Sequence, residues 1–147
     1  MLSTYLESEV MSASPGKLVV MMYDGAINFL RRLDHIDWAR DFEAKSYNIN
    51  KAYAILSELI LTLNMDHKEI SDPLRGLYVF MQGRLLTATV QNDKSAVKEV
   101  LELLTGLKES WATILKEQNS TSSIQLTNSP ASQDENGSEE STFSLAC

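Results

Sequence analysis

The chain is poor in the residues that carry covalent or metal chemistry. It has one cysteine, Cys147, so no internal disulfide can form; its terminal place marks an exposed thiol rather than a nucleophile and points to a reducing compartment. Its two histidines, His35 and His67, fall in different regions between helices, and neither follows a glutamate by three residues. That excludes a His/Cys zinc site and the Glu-x-x-His motif of carboxylate-bridged di-metal bundles. His67, between Asp66 and Lys68, reads as a solvated loop residue. Asp34, Asp37 and Asp41 read as charges at helix ends rather than as an acid–base pair. No convergent set of titratable groups exists on which to build an enzyme, and no cofactor is expected.

Cations are scarce as well. Thirteen Lys and Arg stand against 20 Asp and Glu, a formal charge of −7, which argues against a nucleic-acid or anionic-membrane surface. Four of the carboxylates lie beyond Glu117, where no basic residue occurs, so the part before it is only mildly acidic. No apolar run approaches the roughly 18 residues of a membrane span. The opening stretch "MLSTYLESEV" lacks the basic and apolar regions of a secretory signal, so a soluble cytoplasmic protein is expected, with no membrane insertion. Prolines number three and glycines six, while 44% of residues are hydrophobic, a composition that suits one compact helical domain.

The stretch "SASPGKLVVMMYDG" contains a Gly-Lys pair but no phosphate loop, whose form is G-x-x-x-x-G-K-[S/T]. Met11 stands where the first glycine belongs, Leu18 follows Lys17, and no strand precedes. The same residues open a helix well: Ser14 as N-cap and Pro15 at the first helical position. That helix is expected from Pro15 to about Trp38, and a second from Phe42 to about Leu63 with Asp41 as cap. A third opens at "SDPL", where Ser71 or Asp72 caps and Pro73 begins the helix, and runs to about Val90. A fourth follows "QND", capped by Asp93, and ends near Lys116. Short connections make neighbours antiparallel, so the expected fold is all-α, an antiparallel up-and-down four-helix bundle over 1–117, with a short N-terminal helix or arm. From Gln118 the composition turns to Ser, Thr, Asn and acids, and 118–147 is expected to be a disordered acidic tail, or one ordered only by a partner.

Helical periodicity assigns Ile49, Ala52, Tyr53, Leu56, Leu59, Ile60 and Leu63 to the core stripe of the second helix. Val97, Val100, Leu101, Leu104, Leu107, Trp111 and Leu115 form that of the fourth, with Trp38 as a partly exposed cover. The third helix carries Leu74, Leu77, Tyr78, Met81 and Leu85 on one stripe, but Val79, Leu86 and Val90 recur on another. On the first helix, Val20 and Ile27 fall away from the line of Leu18, Met22, Phe29, Leu33 and Ile36, and Leu61 points away from the core of the second. A bundle buries one stripe per helix, and each medium-sized side chain left wet forgoes about 1.5–3 kcal/mol. A surplus row therefore calls for the arm, a second copy or a client.

The stretch "YLESEVMSASPGKLVVMMYDGAINFLRRL" closely resembles the N-terminal signature of the flagellar secretion chaperone family FliS. The resemblance continues through "NINKAYAILSELILTLNMD", "EISDPLRGLYVFMQGRLLTATVQND" and "VLELLTGLKESWATIL". It implies a cytoplasmic export chaperone that binds the C-terminal segment of flagellin in an apolar groove, prevents premature polymerisation, and delivers its client to the flagellar type III export gate, as a monomer or weak dimer. Carried onto this chain, Tyr5 and Val10 belong to the arm, and the surplus residues of the second and third helices, Ile55, Leu61, Val79, Leu86 and Val90, to the client surface. The rival reading is a homodimeric helical adaptor whose surplus stripes meet each other.

Overall fold

The computed structural model describes residues 14–127, with side-chain burial through Gln118. Helix α1 spans Pro15–Arg31 and passes into a 3-10 turn, Arg32–His35. Helix α2 spans Phe42–Thr62, α3 Lys68–Gln91 and α4 Lys94–Thr127. Each helix packs against its sequence neighbours, and α1 closes the ring against α4, giving an antiparallel four-helix bundle. The expected arm, with Tyr5 and Val10, lies outside the described residues.

The caps follow the sequence. Ser14 Oγ accepts from Lys17 N at 3.3 Å, and Asp41 Oδ1 from Ala44 N at 3.2 Å. Asp93 Oδ1 accepts from Ser95 N at 3.0 Å and Ala96 N at 3.3 Å at the start of α4. The Ser95 hydroxyl adds a further bond to Asp93 and holds its carboxyl below the ordinary aspartate range.

Three helix boundaries differ from the sequence reading. Helix α1 stops at Arg31, before Trp38, because the chain turns to bury Leu33 and Trp38 under the bundle. Trp38 is therefore a core residue rather than a partly exposed cover; its Nε1 donates to the Leu33 carbonyl at 3.3 Å, occupying an acceptor at the 3-10 turn. Helix α3 begins at Lys68, not at Pro73, which lies inside it. Ser71 is wholly buried and donates to Asn64 O at 2.5 Å, while Asn64 Oδ1 accepts from Asp66 N at 2.9 Å. This tight turn starts the helix early, with His67 as a half-buried N-cap residue, and Pro73 costs α3 one ladder bond.

Helix α4 runs past the composition change at Gln118 to Thr127. Loss of apolar residues removes packing but does not break a backbone ladder, and no proline or glycine occurs between Gly106 and Pro130. The rest of the expected tail, 128–147, lies outside the described residues.

The core is the set of inward stripes. Tyr23, Leu30, Leu56, Leu59, Met81, Leu85, Val100 and Leu104 have no exposed surface. On α1 the buried line is Val19, Tyr23, Ala26, Ile27 and Leu30, so Ile27 belongs to the core, and Leu18, Met22 and Phe29 sit at its edge. The helix is rotated relative to the sequence reading because Tyr23, with its large apolar ring, takes the centre of the buried face.

Candidate client-binding surface

The seam between α2 and α3 is set in register by polar bonds along its length. Gln82 Nε2 donates to Ser57 Oγ at 2.8 Å and to Tyr53 O at 3.3 Å in the middle. Lys45 Nζ donates to Thr89 O at 3.3 Å and to Asn92 Oδ1 at 2.6 Å near one end, and Ser71 holds Asn64 at the other.

These bonds fix which side chains the seam displays. Val79 and Leu86 lie three residues before and four after Gln82, so they flank it one turn away on either side. Val90 is one further turn along, and at about 100° per residue the three fall within roughly 40° of each other. Leu61 extends the row of Ser57 by one turn on α2. Exposure is 51% for Val79, 54% for Leu86, 80% for Val90 and 77% for Leu61. An apolar row on α3 and an outlying leucine on α2 thus lie along the outer face of the α2–α3 seam.

Ile55 does not join them. It points roughly 120° away from Leu61 around α2, is half-buried, and its Cδ1 would lie 3.3 Å from a Cβ placed on Gly25 of α1. It belongs to the α1–α2 seam. Val20, on the outer side of α1, is half-buried against the core and is likewise remote from the α3 row.

Periodicity missed other exposed apolar residues. Phe80 sits between the buried pair Tyr78 and Met81, next to Val79, and faces roughly 100° round α3 from the valine row. Met65 lies in the α2–α3 turn, outside any helical repeat. Phe42 and Tyr47 are exposed at the start of α2, where Lys45 Nζ stands 4.7 Å from the Phe42 centroid and Lys51 Nζ 5.5 Å from that of Tyr47. Phe29 meets Tyr47 edge-on at 6.2 Å. The two cation–ring pairs follow the i, i+3 and i, i+4 spacing of α2, and the ring pair comes from the packing of α1 on α2.

Val79, Leu86, Val90 and Leu61 carry no titratable group, and among the described residues no group of His, Cys, Asp and Glu could hold a metal ion. No described helix is long and apolar enough to cross a membrane. Covering the four exposed residues with another apolar surface would contribute about 1.5–3 kcal/mol apiece before ordering costs.

Comparison with known proteins gives a consistent result. The family model for the flagellar protein FliS matches residues 1–118. The chain is 38% identical over 112 residues to the flagellar secretion chaperone FliS of Salmonella typhimurium, covering 74% of this chain and 82% of that one. It is 36% identical over 108 residues to the Escherichia coli protein of that name, covering 72% and 79%. The Bacillus subtilis counterpart is 33% identical over 109 residues, covering 74% and 81%.

Proposed function

The chain belongs to the FliS family of flagellar proteins, and from that premise we propose that it is a cytoplasmic flagellar export chaperone which holds the C-terminal segment of flagellin on the groove between α2 and α3. The single observation that carries the placement is the exposed row of Val79, Leu86 and Val90 beside Leu61, on helices whose opposite faces already fill the core. An amphipathic client segment that lays its own apolar face on this row removes both surfaces from water.

The action is stoichiometric. Burial of the client segment stabilises the complex, and the entropy lost in ordering that segment offsets part of the gain, so the client is kept from polymerising and yet can be released at the type III export gate. Tyr5 and Val10 are assigned to an arm that shares the surface. Ile55 takes part only where the client continues onto the α1–α2 seam.

Calorimetric titration of the full chain with a peptide of the flagellin C-terminal segment tests this reading. Leu61→Asp, Val79→Asp and Leu86→Asp alter exposed positions, so circular dichroism should stay unchanged while affinity falls about tenfold or more for each, near 1.4 kcal/mol. Wild-type affinity in all three variants would remove the groove from this seam. A stable dimer in sedimentation that loses its association in the same variants would instead favour a homodimeric adaptor.

A further inference from the structure

The sequence of 128–147 divides sharply by chemistry. The acids Asp134, Glu135, Glu139 and Glu140 come first, and its two large apolar side chains, Phe143 and Leu145, follow them two positions apart. No lysine or arginine lies among them. A stretch of like charge repels itself and favours extension, which is the make-up of a hydrated spacer. Residues two apart on an extended backbone project to the same side, so Phe143 and Leu145 present one apolar edge.

The outer face of α3 lies within reach of that edge. Phe80 is 47% exposed beside Val79. It sits on the flank of α3 from which Arg84 reaches Glu99 of α4 at 2.8 Å, whereas Gln82, on the other flank, bonds to Ser57 of α2. Leu115 marks the level at which the bundle ends on α4, since a β-carbon on Gly16, near the start of α1, would lie 2.6 Å from its Cδ2. From there α4 runs twelve residues further to Thr127, about 18 Å. Val79 stands eleven residues, about 17 Å, above the start of α3 at the same end. With neighbouring axes about 8–10 Å apart, the path from Thr127 back to Val79 is about 40 Å. The sixteen residues from Thr127 to Phe143 extend to about 55 Å, which suffices for Phe80 and Val79 and runs out near Val90, about 17 Å farther along α3.

We propose that Phe143 and Leu145 dock on Phe80 and Val79 of their own molecule, so that the chain covers part of its exposed α3 face. The tether makes a weak contact sufficient. A short flexible linker gives an effective concentration of about a millimolar, so a segment with an intrinsic dissociation constant of that order is docked about half the time and still yields to a tighter ligand. A second copy of the chain at micromolar concentration competes poorly with a segment held in this way. The contact is apolar, because the first two turns of α3 expose Lys68 and Arg75 against Glu69 and Asp72 and offer the acidic spacer no net attraction. That the docked segment shields the surface from a client rests on the function proposed above; the docking itself does not.

Cys147, the single cysteine, takes a nitroxide label without any substitution, and amide NMR resonances of the isotope-labelled full chain report where the label goes. The expected result is selective broadening over 76–83, with the Trp38 indole, at the other end of the bundle, unaffected. It should persist at about 0.5 M salt, where exposed charges are screened. Phe143→Ser with Leu145→Ser should abolish it and strengthen binding of the flagellin C-terminal peptide about two- to fivefold. No selective broadening, broadening that survives the double substitution, or broadening centred on the α1–α2 seam would overturn the docking, and loss in salt would overturn its apolar basis. Broadening of an unlabelled isotopic chain by a separate nitroxide-bearing chain would reassign the contact to a second copy and overturn it as well. Broadening that remains once the peptide saturates the chain would uphold the docking and overturn the shielding. Peptide shifts at Val79 and Leu86 in a chain without broadening would overturn the docking and leave the client surface standing.

Discussion

The hydroxyl oxygens of Tyr23 and Tyr78 meet 2.6 Å apart at the centre of the bundle, and this contact joins α1 to α3 across its diagonal. Both rings are buried, with centroids 6.4 Å apart and planes tilted by 52°. Adjacent helices are held by side-chain interdigitation along their whole length, whereas a diagonal pair meets only through the longest side chains. Two tyrosines span that distance and hydrogen-bond to each other across it. Tyr23→Phe and Tyr78→Phe each remove a hydrogen bond between buried groups and should each cost about 0.5–1.5 kcal/mol in urea unfolding. The double variant removes both partners and should cost less than the two single losses together. Strict additivity would show that the hydroxyls act independently.

Lys45 performs the equivalent task at the end of the bundle where α3 turns into α4. It is 1% exposed, yet both of its hydrogen bonds run to the last turn of α3 and its cap, and its ammonium also stands 5.7 Å from the Trp38 centroid. Asn92 sits in the left-handed region at φ 52°, which a β-carbon disfavours and asparagine tolerates. Lys45→Met keeps the stem and should cost about 1.5–3 kcal/mol by leaving Thr89 O and Asn92 Oδ1 without their donor. Asn92→Gly loses that bond but relieves the backbone, and Asn92→Ala loses the bond and adds strain. The alanine variant should be the less stable by about 1 kcal/mol. Equal midpoints for the two would show that the backbone conformation at this turn carries no cost.

The glycines of the helices separate into two kinds. A β-carbon on Gly76 or Gly83 would meet nothing within 4 Å, whereas one on Gly16 would lie 2.6 Å from Leu115 Cδ2 and one on Gly25 3.3 Å from Ile55 Cδ1. Alanine at an open helical position reduces the entropy lost on folding, so Gly76→Ala and Gly83→Ala should each raise stability by about 0.5–1 kcal/mol. Gly16→Ala and Gly25→Ala must displace a neighbour and should gain less or lose. A thermal midpoint for Gly83→Ala below that of wild type would contradict the open surroundings of this position.

The parts legible in the sequence are those governed by local rules. Ser14, Asp41 and Asp93 cap their helices because short acceptors are needed wherever a helix begins, and the buried rows of α2 and α4 follow a simple period. The displayed row of Val79, Leu86 and Val90 was legible because Tyr78, Met81 and Leu85 had already claimed the inward face of α3. What failed depended on tertiary choice. The end of α1 is set by the room that Leu33 and Trp38 find beneath the bundle, and the start of α3 by Ser71 reaching back to Asn64. The α2 period alone puts Ile55 about 120° from Leu61, while the space its side chain fills is opened by Gly25 on α1, which no pattern within α2 reports.

Asp93 supplies a pH test of the α3–α4 junction. Its carboxyl is held below the ordinary value by the Ser95 hydroxyl first, which outweighs the opposing effect of burial, and the amides of Ala96 and Ser95 and the charge of Arg84, whose Nη2 lies 3.9 Å away, lower it further. A carboxylate with a depressed folded-state value adds stability that is fully present above its unfolded value of about 3.9 and is lost as pH falls through the folded value. Asparagine keeps an oxygen that can cap α4 but carries no charge, so Asp93→Asn isolates the ionised form. The other carboxylates titrate alike in both proteins and cancel in the difference. Wild type should therefore exceed Asp93→Asn by a constant margin from pH 7 down to about pH 5, and that margin should shrink below about pH 4. Because Asp93 is at the surface, raising ionic strength should also narrow the margin at neutral pH by screening Arg84. Urea unfolding of the pair at pH 7, 5 and 3 measures the effect, and a margin that stays constant to pH 3 would mean that the junction gains nothing from the charge.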